Sequence, residues 1–256
     1  MKNIINHIPE EDMKLLYFIR HGETNWNREK KIQGGDQDTE LNETGRIQSL
    51  MTGKYLCRHQ TETSRFDCII SSPLKRAKET ATIISEELGF QEEIILDPNL
   101  KEVICGEISG KVYRDIVNRT KRHKKKNGSP NFNKIESMLT RIECEQDPIR
   151  KAYLNNSDAL ELALCEIGHE SIFETKKRGQ FFLDWIASCN FNKIIIVGHS
   201  HFFDVLRDLM FNISGGTLDG EYSNRITNCS IMHVVYKNGK FRLITKPNTL
   251  HFNIVS

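Results

Sequence analysis

Long apolar runs, paired cysteines and net charge are what this 256-residue chain has least of, and each absence removes a class of function. Its apolar runs, residues 15–19 and 194–197 among them, fall far short of the roughly 18 residues a membrane helix needs. The first twelve residues are polar, end in Glu10, Glu11 and Asp12, and hold no signal-peptide core. A cytoplasmic location is the default expectation, with no membrane partner. Seven cysteines, odd in number and scattered, form no Cys-x-x-Cys pair, so no cysteine-built zinc or redox site is expected. The thiols read as reduced and mostly buried. Asn155, Asn212 and Asn228 open Asn-x-Ser triplets, which carry no glycosylation meaning without secretion. Lysine and arginine total 36 against 34 acidic residues, a net charge of +2, so no global field draws nucleic acid or an acidic partner.

What is present is an ordinary globular balance, 38% hydrophobic and 27% charged, in a chain long enough for one large core. Short β-rich runs at 15–19, 68–70, 93–96 and 193–197 alternate with helical patterns at 42–59, 74–88, 172–188 and 201–211. In the first helix Ile47, Leu50, Met51, Tyr55 and Leu56 fall at helical spacing, and in the second Ala77, Thr80, Ala81 and Ile84 share a face. Two later runs, 230–236 and 241–246, meet at Asn238-Gly239, a hairpin turn signal. The order predicts an α/β fold: a three-layer α/β/α sandwich with a mostly parallel sheet and an antiparallel edge. Residues from about 111 to 168 are polar, lack clear strands, and are expected to form a helical cap inserted into a single domain spanning 1–256. Within them lies a basic run, 119–126, which fits a solvated loop, a nuclear-import signal, a nucleic-acid patch or an attractor for a polyanionic substrate. Nucleic acid is not expected as a partner despite it.

The predicted strand ends carry the chemistry. Arg20-His21-Gly22-Glu23-Thr24 follows the first strand, Ser71-Ser72-Pro73-Leu74-Lys75-Arg76 the second, Leu100-Lys101-Glu102-Val103 the third, and Gly198-His199-Ser200 the fourth. In an open α/β sheet the strand carboxyl ends converge on one crevice. Two arginines, two histidines and a glutamate would then share a pocket. That set suits phosphoryl transfer. Guanidinium forks grip phosphate oxygens and keep their charge at any working pH. They also depress the pKa of a histidine, which must be neutral to attack. A carboxylic acid can protonate the leaving oxygen and then deprotonate water.

The run Arg20-His21-Gly22-Glu23-Thr24-Asn25-Trp26-Asn27, then Ile32-Gln33-Gly34 and Leu41-Asn42-Glu43-Thr44-Gly45-Arg46, resembles the opening signature of the histidine phosphatase superfamily, the phosphoglycerate mutase-like clan. Residues 71–81, 102–110, 168–171 with Arg178, and 197–200 are similar to its later blocks, in family order. The resemblance implies a histidine phosphatase domain with His21 as nucleophile, forming a phosphohistidine. It implies Arg20, Arg76, His199 and the neutral donor Asn27 as phosphate ligands. Glu102 would be the acid and then the base, favoured over Glu107 by spacing. Gln33, Gly34 and Ser200 would touch substrate more weakly. No metal and no other cofactor is implied, and a His199–His201 chelate is not expected. The implied partner is a phosphorylated small molecule or phosphoprotein.

Two departures from the family pattern stand out: residues 120–165 match none of its motifs and would carry much of the substrate selectivity, and a second change bears on the shape of the loop near the pocket. Thr39 and Glu40 stand where the family often has a short residue and proline before the leucine at 41. The mutases' Glu-Arg pair with tyrosine-glycine, and their arginine-serine, proline-rich cap motif, are missing. A hydrolase is therefore expected over a mutase or bisphosphate-handling enzyme. A catalytically silent phospho-ligand scaffold is the remaining alternative.

Overall fold

A computed structural model of the chain describes residues 13–61, 64–112, 162, 164–212 and 226–255. The expected cap lies for most of its length outside the described residues, as does the whole basic run 119–126. The elements are β1 (Met13–Arg20), α1 (Asn25–Arg28), α2 (Glu43–Arg58), β2 (Cys68–Ser71), α3 (Lys75–Leu88), β3 (Ile95–Leu96), α4 (Ile172–Ser188), β4 (Lys193–Gly198), α5 (Ser200–Phe211), β5 (Ile231–Lys237), β6 (Lys240–Asn248) and α6 (Phe252–Val255). Among the described residues no helix is long and apolar enough to cross a membrane.

The strands form one mixed sheet in the order β3-β2-β4-β1-β5-β6. β1, β4, β2 and β3 run parallel, while β5 lies antiparallel to β1 and β6 antiparallel to β5. The near-continuous apolar runs of the central strands follow from burial on both faces. Successive side chains alternate between two cores. Leu16, Phe18, Ile70, Ile194 and Ile196 meet Phe182 of α4 and Phe202 and Phe203 of α5. Tyr17, Ile19, Ile69, Ile195 and Val197 meet Leu56 of α2 and Ala77, Ala81 and Ile84 of α3. The result is the expected three-layer sandwich. Asn238 and Gly239, both at positive φ, turn the β5–β6 hairpin.

Two expectations need correction. The third strand is two residues, not four, and both are exposed at the sheet edge. The buried face of α2 consists of Gly45, Ser49, Thr52, Gly53 and Leu56, whereas Ile47 is 49% exposed. Close approach decides this: a Cβ on Gly53 would lie 2.7 Å from Glu87 Cβ of α3. Small residues let the two helices pack in contact, and that outweighs burying the larger apolar side chains. The structure also adds the one-turn α1, capped reciprocally by Thr24 and Asn27.

Candidate active site

Three adjacent strands end at one level. Arg20 pairs with Gly198 across β1 and β4. His21 N donates to Gly198 O at 2.9 Å, and Ser72 N donates to Val197 O at 3.0 Å. The residues following β1, β4 and β2 therefore emerge side by side, with the His21 and His199 ring centroids 5.1 Å apart. The glycine after His21 is required by packing. A Cβ on Gly22 would lie 2.4 Å from Gly45 O, and one on Gly45 would lie 2.1 Å from Glu23 O. The start of α2 thus presses backbone to backbone against the strand end.

His21 is buried and its Nδ1 lies 2.7 Å from Gly22 O. A carbonyl can only accept, so Nδ1 carries the proton and Nε2 keeps its lone pair. Burial, and then the Arg76 and Arg20 guanidinium groups, hold the His21 pKa well below the ordinary histidine range. His199 is buried with Nε2 2.8 Å from Ser72 Oγ, and its Nδ1 has no hydrogen-bond partner among the described residues. Burial, Arg76, His21 and Arg20 lower its pKa in the same direction. Both imidazoles are therefore neutral at physiological pH.

Arg76, on the first turn of α3, is fully buried. Burial lowers its pKa to about 10, with Glu102 and Asp38 opposing the shift, so it remains a cation at neutral pH. Its Nη1 donates to Gln37 O at 2.6 Å and its Nη2 to Gly34 O at 3.3 Å. The Gln33 carboxamide, turned with its oxygen toward the guanidinium, accepts from Arg76 Nε at 2.9 Å. Gln33 and Gly34 thus sit against Arg76 and fix its fork. Arg20 Nη1 donates to Ile226 O at 2.9 Å, and Ser200 Oγ donates to the same carbonyl at 3.2 Å. Asn27 Oδ1 accepts from Thr24 N and from Asn228 Nδ2. With its oxygen committed, the Asn27 amide nitrogen is the donor, and it lies 3.3 Å from the Gln33 side-chain carboxamide.

Glu102 reaches this cluster by a loop that leaves the edge strand through a 3₁₀ turn at Pro98–Leu100. It is buried, and its Oε1 accepts from Val103 N at 3.0 Å and Phe202 N at 2.9 Å. Its Oε2 accepts from His201 N at 3.2 Å. The carboxyl group is thereby seated on the N-terminus of α5, whose free N–H groups and dipole favour an acidic group. Glu107 is exposed, which separates it from Glu102. No group of three or more histidine, cysteine or acidic side chains among the described residues could hold a metal ion.

The structure thus gathers His21, His199, Arg20, Arg76, Asn27 and Glu102 at the ends of β1, β4 and β2, with Gln33, Gly34 and Ser200 beside them. It adds two residues that sequence reasoning misses. Ser72, which the sequence shows only as one residue of the run after the second strand, is the partner of His199 Nε2. Asn228, which the sequence offers only as part of an Asn-x-Ser triplet, donates to His21 O and to Asn27 Oδ1, both at 3.0 Å. Only three-dimensional closure brings Asn228 to β1; for Ser72 the available signal is its position immediately after a strand.

Comparison with known proteins shows the family. Residues 16–143 match the family model described as histidine phosphatase superfamily (branch 1). A Bacillus subtilis protein described as uncharacterized phosphatase PhoE is 29% identical over 231 residues, covering 90% of this chain and 93% of the relative. A putative phosphoserine phosphatase 2 of Hydrogenobacter thermophilus is 25% identical, covering 91% and 94%. In fold, a phosphoglycerate mutase from Bacillus anthracis superimposes with a TM-score of 0.70 at 18% identity, covering 96% of this chain and 97% of that one. With the matched segment spanning His21, Arg76 and Glu102, the chain belongs to the histidine phosphatase superfamily, branch 1.

Proposed function

We propose that the protein hydrolyses small phosphomonoesters through a phosphohistidine on His21. The observation that carries this reading is the fixed tautomer of His21. Its Nδ1–H is held by Gly22 O while Nε2 stays unprotonated beside two guanidinium groups. In the first step the Nε2 lone pair attacks phosphorus and the bond to the leaving oxygen breaks. That oxygen takes the proton from Glu102. Arg20, Arg76, His199 and Asn27 hold the non-bridging oxygens, where charge must be stabilised. In the second step Glu102 takes a proton from water as the water oxygen attacks phosphorus. The N–P bond breaks, its electrons return to Nε2, and inorganic phosphate leaves.

Two features favour a hydrolase acting on small phosphorylated molecules: the missing mutase motifs and the likeness across nine-tenths of the chain to a putative phosphoserine phosphatase. Gln33, Gly34 and Ser200 are the proposed minor substrate contacts. The test is phosphate release from p-nitrophenyl phosphate and from a panel of phosphorylated metabolites that includes phosphoserine. Turnover is expected to persist in EDTA and to vanish in His21→Ala. Phosphoglycerates with a bisphosphate primer are expected to release phosphate rather than interconvert. Undiminished turnover by His21→Ala would remove the reading.

A further inference from the structure

The loop that carries Glu102 is braced by an ion pair between α4 and the segment just before it. Arg178 and Glu170 form a two-bond fork, with Nε to Oε1 at 2.6 Å and Nη2 to Oε2 at 3.0 Å. Both side chains are largely buried, at 16% and 11% exposure. The remaining Arg178 nitrogen, Nη1, donates to Asn99 O at 2.6 Å and Lys101 O at 2.7 Å. These carbonyls belong to the loop immediately before Glu102. On the other side of Glu102, Ile104 N donates to Glu170 Oε2 at 3.2 Å and Glu170 N donates to Ile104 O at 2.9 Å. The pair therefore grips the chain on both sides of Glu102. The Arg178 guanidinium also lies 4.1 Å from the centre of the Phe202 ring. Phe202 supplies the backbone N–H that holds Glu102 Oε1.

One guanidinium thus fixes the loop that carries the carboxyl group and the residue that receives it. The loop needs such a brace, because β3 offers only two residues of pairing before it. We propose that Arg178 and Glu170 are positioning residues that hold Glu102 at the distance from the leaving oxygen needed for proton donation. Neither touches the reacting atoms. The inference rests on Glu102 acting as the acid.

The test compares kcat/KM, which reports the steps through phosphoryl transfer, for p-nitrophenyl and phenyl phosphate. Their leaving phenols have pKa values of about 7 and about 10, so the phenyl ester depends more on proton donation. Glu102→Gln is run beside Arg178→Lys and Glu170→Gln. Lysine keeps the charge but cannot make the fork and both carbonyl bonds, and Glu170→Gln preserves the shape should Arg178→Lys fold poorly. The ratio of p-nitrophenyl to phenyl kcat/KM is expected to rise about tenfold or more in Glu102→Gln and in both brace variants. If Glu102→Gln raises the ratio and folded brace variants lose activity equally on both esters, their role is structural only and the inference falls. If Glu102→Gln leaves the ratio unchanged, or the wild type turns over neither ester, the reading of the site itself is contradicted.

Discussion

At the scale of single residues, the site keeps charge off its histidines. An imidazolium at His21 or His199 would be stranded away from water beside Arg76 and Arg20, so burial first and the guanidinium groups second push both pKa values down. Protonation on acidification is therefore postponed to well below the usual histidine midpoint. NMR titration of labelled imidazoles should show no midpoint for either residue between pH 6 and 8, with assignment by loss of the His21 signal in His21→Ala. A His21 midpoint near 6.5 would contradict the electrostatic account. Ser72→Ala removes the partner of His199 Nε2. One hydrogen bond is worth roughly 1–1.5 kcal/mol, so kcat/KM should fall about five- to tenfold. The fall should be the same for p-nitrophenyl and phenyl phosphate if Ser72 acts only through His199, the proposed phosphate ligand. A loss confined to the poorer leaving group would show that Ser72 does something else.

At the scale of elements, the site depends on how closely α2 is set against the end of β1. Gly45 sits where any Cβ would meet the backbone carbonyl of Glu23, which cannot move aside as a side chain could. Gly45→Ala should destabilise the fold by about 1–3 kcal/mol in urea denaturation and lower activity by shifting the turn after His21. Wild-type stability would contradict this packing. Legibility in the sequence divides along the same lines. Continuous apolar runs make β1, β2 and β4 readable, and Asn42 and the Asn238-Gly239 turn mark boundaries that the structure keeps. The inward face of α2 is not readable, because a helix that docks through glycine, serine and threonine has no apolar stripe facing its neighbour. β3 is overestimated because Glu93-Ile94-Ile95-Leu96 is a β-rich run, yet only Ile95 and Leu96 pair with β2, opposite Ile70 and Ser71. Arg20, His21, Arg76, Glu102 and His199 are legible because each follows a strand or opens a helix. The roles of Ser72, Asn228 and the Arg178–Glu170 brace are not, since each acts through a partner distant in the chain.

At the scale of the whole molecule, the protein keeps several histidines neutral inside its fold. Burial is the largest cause that holds His169, His233 and His251 at about 4, and His21 and His199 are shifted the same way. In the unfolded chain these groups return to about 6.5. Between pH 6.5 and 4 the unfolded state therefore binds protons that the native state does not, and stability falls as pH falls. The urea midpoint should be lower at pH 5 than at pH 7, and an unchanged midpoint would contradict the burial of these rings. The sheet order places β1, β4 and β2 side by side, and that arrangement brings together residues far apart in sequence. In the proposed reaction, phosphate passes through His21. The most direct measurement is a millisecond quench of the protein with labelled p-nitrophenyl phosphate into alkaline denaturant, which preserves an N–P bond, followed by mass spectrometry of the peptides. Phosphate on the peptide carrying His21, absent from His21→Ala, is the predicted result. Rapid turnover with no phosphorylated peptide, or phosphate on another residue, would contradict it.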